Sequence, residues 1–395
     1  MDGERYPDTR PEVVVHHKRK VPFDPQIPVD PELRDEILEI HSLDRELGEF
    51  ILTAEDYLDL VFEEAWPVNF HRSTALEGNP LGIDEVREIT RNTAHGETEQ
   101  HVDFPMQEIY NHLSFWVTPD LLEMPWDLDT IRQVHRTLLM GADEGVRPGE
   151  FREEDRASVR NDAGDEVFVG APGTHIEEEM EALLTWLNER GGAYFPLITA
   201  TVFFHEFESI RPFVDGNGRT GRVLFHGYLQ NHGLPHSHLC TIEKQITENP
   251  RTYYNVLAWT DHEEDYELLL NYFTEATLTS YRNAVERFRS KDLLSGDMDE
   301  VKKRLLIKAR REGGWFSSTE ASDWISGRSQ DTVRRHLNDL TDMDLLETKG
   351  QTRAKRYTFS NPLSVLIDEA KRTLEDMQTD NRQGLASIED RDDRS

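Results

Sequence analysis

Apolar positions recur every three or four residues through most of this chain, a period that predicts helices. Between Pro31 and Tyr110, Ile37, Ile40, Leu43 and Leu47 mark one face, and Ile51, Tyr57 and Leu60 continue it. Residues 126–139, WDLDTIRQVHRTLL, repeat the pattern with Leu128, Ile131, Val134 and Leu138. PLITATVFFHEFESI (196–210) is apolar nearly all round, so that helix belongs at the centre of its domain. Further helices are expected over 176–190, over 219–232 before a terminating Gly233, and on to about residue 290. The helical period lapses at ASVRNDAGDEVFVGAP (157–172), which reads as two short strands around a Gly-containing turn, preceded by the turn-forming GVRPGEFR (145–152). Residues 1–30 are proline-rich and polar, with a basic knot HHKRK at 16–20, and are expected to be extended or loosely ordered.

Beyond SGDMDE (295–300) the pattern changes. Helices are expected over 301–314, 318–325 and 329–340, the last with Ser329 as N-cap, followed by two strands within 344–359 joined by a basic turn. Three helices and a hairpin in that order describe a winged helix-turn-helix. The chain therefore divides into an extended segment (1–30), a helical region (31–110), a helical core (111–295), a winged helix (298–360) and a disordered acidic tail (375–395). The fold class is mainly α, with one hairpin in the core.

Charge sharpens this division. Asp and Glu number 77 against 44 Lys and Arg, a net charge of −33, with arginine well ahead of lysine. A dispersed acidic, lysine-poor surface suits concentrated salt, where screening removes self-repulsion. The expectation is a halophilic, haloarchaeal protein of the cytoplasm. Against that background residues 301–360 carry thirteen cations and eight anions, a net +5. Arg328, Arg334 and Arg335 fall on the expected recognition helix, and Lys349, Arg353, Lys355 and Arg356 on the wing, the parts that face double-stranded DNA in this architecture. Cys240 is the single cysteine, which excludes an internal disulfide and a cysteine zinc site. No apolar run nears the length of a membrane span, and MDGERYPDTR lacks a signal-peptide core.

The densest chemistry lies in RPFVDGNGRTGR (211–222). Gly216 and Gly218 flank Asn217 at a helix entry, where glycines let consecutive N–H groups point into one concavity and the helix dipole adds positive charge. Arg219 and Arg222 lie one turn apart and offer guanidinium forks to phosphate oxygens. Asp215 supplies a hard oxygen ligand suited to Mg²⁺. Together they suggest a nucleoside triphosphate with Mg²⁺. A tight interhelical turn with exposed arginines is the simpler reading of the same residues.

This stretch resembles the signature of the Fic (Fido-fold) family, HPF-x-[DE]-GNGR-x-x-R, matching at Pro212, Phe213, Asp215, Gly216, Asn217, Gly218, Arg219 and Arg222. GVRPGEFR, FVGAP and NPRTYYNVLA (249–258) are similar to the family's pattern too, so that residues 35 to 290 look like family sequence. The resemblance implies a Fido-fold helical domain that transfers AMP from ATP to a hydroxyl of a target protein. It implies Asp215 as metal ligand, and Gly216, Asn217, Gly218, Arg219, Thr220, Gly221 and Arg222 as the phosphate site. It also implies Val167, Phe168, Val169 and Gly170 as a flap that aligns the target by strand addition, and Tyr253 and Tyr254 beside the adenine. Family members and winged helices often form homodimers.

Two features qualify the resemblance. Where the family carries a histidine that takes the proton from the attacking hydroxyl, this chain has Arg211, which stays protonated and cannot act as a base. His205 is the nearest alternative in sequence, although a buried structural histidine is its simpler role. Charge neutralisation by the cradle would survive, giving either a slow adenylyltransferase or a nucleotide-sensing DNA-binding regulator. HRSTALEGNP (71–80) fits the family's inhibitory [ST]-x-x-x-E-[GN] segment through Ser73, Glu77 and Gly78. The implied plug is Glu77 paired with Arg219.

Overall fold

The computed structural model describes residues 5–377 apart from stretches at 51–59, 98–101, 119–121, 143–144, 161–162, 296–298, 313, 326, 344, 351–354 and 361–365. Ile51, Tyr57 and Arg353, and the tail from 378 on, lie outside the described residues. The elements run in chain order: β1 (Val15–His16), α1 (Pro31–Phe50), α2 (Trp66–Ala75), α3 (Ile83–Ala94), α4 (Phe104–Val117), α5 (Leu128–Leu138), β2 (Ser158–Arg160) and β3 (Glu166–Val169). They continue with α6 (Ile176–Arg190), α7 (Pro196–Ile210), α8 (Asn217–Asn231), α9 (Ile242–Ile246), α10 (Pro250–Glu263) and α11 (Glu267–Ser295). A second group follows: α12 (Glu300–Glu312), β4 (Phe316–Ser317), α13 (Ser318–Trp324), α14 (Gln330–Asp342), β5 (Leu346–Lys349) and β6 (Arg356–Phe359).

One apolar core unites α1 to α11, and α7 runs through its middle, buried along its length except at Pro196 and Glu208. A helix has no polar face only where neighbours surround it. Helix α1 lies along α11, where Tyr281 donates to Asp44 and Arg282 and Arg289 grip Glu39 and Glu46. Close approach of α7 and α8 requires Gly221, because a Cβ there would come within 3.1 Å of the Phe204 ring. A described stretch of helix at 366–377 joins the same core through Ala370 and Leu374, so the first three residues of the expected tail are the end of a packed helix.

The second group has its own core, built from Leu305, Leu306, Val333, Leu337, Leu346 and Tyr357 among others. Ser329 caps α14 by accepting from the Thr332 N–H, as its position before the apolar period suggests. The sheet order is β4-β6-β5, antiparallel throughout, with Leu346 opposite Phe359 and Lys349 opposite Arg356. No helix among the described residues is long and apolar enough to cross a membrane.

The N-terminal segment departs most from expectation. Instead of trailing free, β1 pairs in parallel with β3, forming a sheet of order β1-β3-β2. The basic knot is tied down residue by residue: His17 to Glu179 and Ser209, Lys18 to Glu264, Arg19 to Glu178, and Lys20 to Glu206. Each cation meets a carboxylate more than a hundred positions away, which no local pattern reveals.

Candidate anion-binding site

The site is built where α7 stops and α8 starts. Arg211 ends α7 in the left-handed region (φ 51°), and Gly216 opens α8 in the same region (φ 72°). A Cβ at Gly216 would press within 3.0 Å of Leu139, so both conformation and space call for glycine. The intervening loop is held by three side chains. Asn217 spends its whole amide on Phe213, donating to its carbonyl and accepting from its N–H, each at 2.9 Å. His135 stacks on the Phe213 ring at 3.6 Å between centroids. Its Nδ1 accepts from the Gly149 N–H, which leaves Nε2 as the donor to the Asp215 carbonyl at 2.9 Å. Burial pushes the His135 pKa down to about 4, so the ring is neutral and this tautomer holds across the physiological range. Arg152 closes the brace: its buried guanidinium donates to the carbonyls of Glu154, Ala171, Ile210 and Arg211.

The loop faces a cavity of about 890 Å³. Asp215, Gly216, Asn217, Gly218 and Arg222 line it on the α8 side, Tyr253 and Tyr254 on α10, Val167 and Phe168 on the hairpin, and Glu77 above the cradle. Arg211 reaches the cavity as well, with its side chain 25 % exposed and Nη1 3.8 Å from Glu208 Oε2. The other expected residues lie elsewhere. Thr220 is buried and Gly221 packs on α7, so neither touches the cavity. Val169 is buried in the sheet, and Gly170 lets the hairpin approach the Arg211 backbone, where a Cβ would meet the Ile210 carbonyl at 3.1 Å.

The pairing of the acidic plug also differs from expectation. Glu77 contacts Arg222, not Arg219: its Oε1 accepts from Arg222 Nη2 at 2.9 Å. Arg222 also donates to Ser73 through the hydroxyl at 2.8 Å and the carbonyl at 2.9 Å. Arg219 is committed to Glu108 and to Asp215 Oδ2, the latter at 2.9 Å. The two arginines lie three positions apart on one side of α8, about 60° apart around its axis, and Glu77 meets the one that reaches Ser73 on α2. Ser73 lies on α2, whereas Glu77 sits in the turn after it, closed by Gly78 at φ 92°. Burial pushes the Arg222 pKa down, but Glu77 together with Tyr253 and Glu208 outweighs it and the net shift is upward, so the guanidinium stays charged. A Cβ at Gly218 would collide with the Glu77 carboxylate, which therefore rests on the bare backbone where α8 begins. A carboxylate at a helix N-terminus beside an arginine already occupies the position an anion would take.

Three titratable groups escaped the sequence reading. Glu108, buried on α4, accepts from Arg219 and from Asn79 Nδ2 at 2.6 Å, tying the turn after α2 to α8. An acidic residue inside the apolar run FPMQEIYNHLSFWV was the available signal. Glu208 lines the cavity one turn before Arg211; burial raises its pKa above the ordinary carboxylate range, and its Oε1 has no hydrogen-bond partner. Asp261 lines the same cavity and accepts from Ser209 at 2.7 Å. His205 is buried within 3.5 Å of both Glu206 and Asp261; burial lowers its pKa, but the two carboxylates more than offset that and the net shift is upward. Two carboxylates so close favour the charged form of the ring, which leaves His205 poorly placed to accept a proton.

Residues 125–229 match the family model described as Fic/DOC family. The proteins named Protein adenylyltransferase Fic from Drosophila ananassae and Drosophila melanogaster are 27% and 28% identical to this chain over 219 residues. Those matches cover 50% of this chain in each case, with 40% and 41% of the relatives. The chain thus spans about two-fifths of the length of the curated relatives it matches. A crystal structure of a Fic family protein from Desulfovibrio desulfuricans G20 superposes with a TM-score of 0.56 at 22% identity, covering 85% of this chain and 98% of that one. Fic-1 from C. elegans gives a TM-score of 0.51 at 19% identity, over 66% of this chain and 73% of that one. Residues 125–229 thus form a Fic/DOC family domain that takes in the cradle, and the fold shared with Fic family structures extends beyond it.

Proposed function

We propose that this chain is a protein adenylyltransferase that moves AMP from ATP–Mg²⁺ to a hydroxyl side chain and is held back in cis by Glu77. The carrying observation is the Glu77 carboxylate resting on the Gly218 backbone beside Arg222, an anion site filled by the protein's own anion. The cradle suits a polyphosphate because a bare glycine backbone, the start of α8 and Arg222 converge there. Asp215, with a half-exposed carboxylate at the cavity wall, would hold Mg²⁺, whose charge would neutralise the phosphate oxygens. Tyr253 and Tyr254 offer ring faces for the base. The acceptor hydroxyl oxygen bonds to the α-phosphorus, the bond to the β-phosphate bridging oxygen breaks, and pyrophosphate departs. The hydroxyl proton needs an acceptor that Arg211 cannot be, and the Glu208 carboxylate lies one turn away in the same cavity. Arg211 then adds positive charge near the reacting phosphate.

Intact-mass measurement with ATP and Mg²⁺ tests this reading. Glu77→Gly is expected to gain AMP, and Glu77→Gly with Arg211→His to gain it faster by about 10²-fold or more. No added mass in either variant would refute the enzymatic reading. A nucleotide-sensing DNA-binding regulator is the second reading, favoured by Arg211 at the base position and by exposed Arg328, Arg334, Arg335, Lys349 and Arg356 on the second core. In that reading the module is a winged helix-turn-helix with α14 against the DNA. Lys355 is instead bonded to Asn338 and would serve the fold.

A further inference from the structure

We propose that the N-terminal arm, residues 6–20, is a cis occupant of the hairpin's outer edge, and that an extended segment of another polypeptide pairs there only after the arm peels away. Strand β3 has two edges; β2 covers one and β1 covers the other, with Val15 opposite Phe168 and His16 opposite Val169. The His17 N–H extends the pairing to the Val169 carbonyl at 2.8 Å. Upstream the arm crosses the cavity, where Thr9 and Arg10 form part of its wall. Asn255 holds the Pro7 carbonyl there at 2.9 Å and Trp259 the Thr9 carbonyl at 2.8 Å.

The construction is that of a displaceable strand. A two-residue ladder contributes few hydrogen bonds, each worth about 0.5–1.5 kcal/mol net. Val13 and Val14 are exposed, so only Val15 of that apolar run is buried. Firm anchors sit outside the ladder: Tyr6 packs edge-on against Tyr272 and donates to Glu275, and Lys20 meets Glu206. The stretch between them can lift without dismantling the core once His17 leaves Glu179 and Ser209 and the exposed Lys18–Glu264 and Arg19–Glu178 pairs open. An incoming strand would use the same main-chain groups, which give affinity without regard to sequence, while two pockets select side chains.

Those pockets define the partner chemistry. One accepts an apolar residue in place of Val15. The next, two positions on, is made by Ser209 and Glu179, which hold His17. Glu179 Oε1 is buried without a hydrogen-bond partner, so a second donor is accommodated. The edge therefore fits an extended segment of the pattern apolar-x-basic, with histidine or arginine in the second pocket. The inference rests on the hairpin as an aligning strand, and its test needs neither ATP nor turnover, so it can fail without touching the enzymatic reading.

The probe is a fluorescent peptide of residues 9–20, TRPEVVVHHKRK, added to the full-length protein. Val15→Asp with His17→Ala frees the arm in cis and leaves both pockets intact. That variant is expected to bind the peptide at least tenfold more tightly than the unaltered protein, and to show faster hydrogen exchange at residues 13–17 and on β3. A peptide carrying the same two substitutions should not bind. If the variant fails to fold, His17→Ala alone serves, with a smaller gain in the same direction. Peptide binding unchanged between variant and parent would overturn the proposal, as would arm amides no less protected in the variant.

Discussion

Replacing Glu77 with glutamine isolates charge from shape at the cradle. The Glu77–Arg222 contact is 2.9 Å long, and at an effective dielectric of about 20 the Coulomb energy of such a pair has a ceiling of about 6 kcal/mol. Hydrogen bonds to charged groups contribute about 1.5–3 kcal/mol in practice. Glutamine keeps one oxygen to accept from Arg222, so roughly 1–2 kcal/mol should be lost. Without nucleotide, Glu77→Gln should therefore melt roughly 1–3 °C lower. The same energy no longer opposes an incoming phosphate, so ATP–Mg²⁺ should bind about 5- to 30-fold more tightly, since each 1.4 kcal/mol is tenfold. Thermal unfolding and isothermal titration, run on both proteins with and without ATP–Mg²⁺, read the two effects. Opposite signs are the signature: stability falls while affinity rises. A variant that loses stability yet binds ATP within threefold of the parent would show that Glu77 and phosphate do not share a site.

Other outcomes follow from the same geometry. Glu208→Gln in a Glu77→Gly background should slow AMP transfer by about 10²- to 10⁴-fold, as expected on losing a base. The pH profile should tell base from bystander: burial raises the Glu208 pKa, so the active carboxylate is present above it and the rate falls as pH drops through it. Loss of that acid limb in Glu208→Gln supports the assignment, and an unaltered profile refutes it. For His135 the folded pKa of about 4 lies below the ordinary value of 6.5. Its unfolded form takes up a proton first, so its stability contribution is complete above about pH 6.5 and declines as pH falls towards 4, by up to about 1.4 kcal/mol per pH unit. His135→Gln should flatten that stretch of the denaturant-midpoint curve. Arg334→Ala with Arg335→Ala should weaken any DNA gel shift uniformly across sequences and reduce its salt dependence; an unchanged shift would assign the module to other partners.

The helices, the hairpin and the strong glycine turn were legible in the chain because each depends on neighbours within a few positions. The period of PLITATVFFHEFESI announced a buried helix, and DGNGR a turn with positive backbone angles followed by a helix; both took the expected form. The site was legible only to the level of which segment forms it. Choosing between Arg219 and Arg222 as the partner of Glu77 required knowing which side of α8 faces α2, and that depends on packing across more than a hundred residues. Local spacing could not report it. The same reason hid Glu108, whose partners come from two other segments. Residues 1–30 read as loose because their apolar content is low and has no period. Tertiary structure alone turned them into a strand and a set of ion pairs, since the carboxylates that fix them are supplied by α6, α7 and the turn after α10.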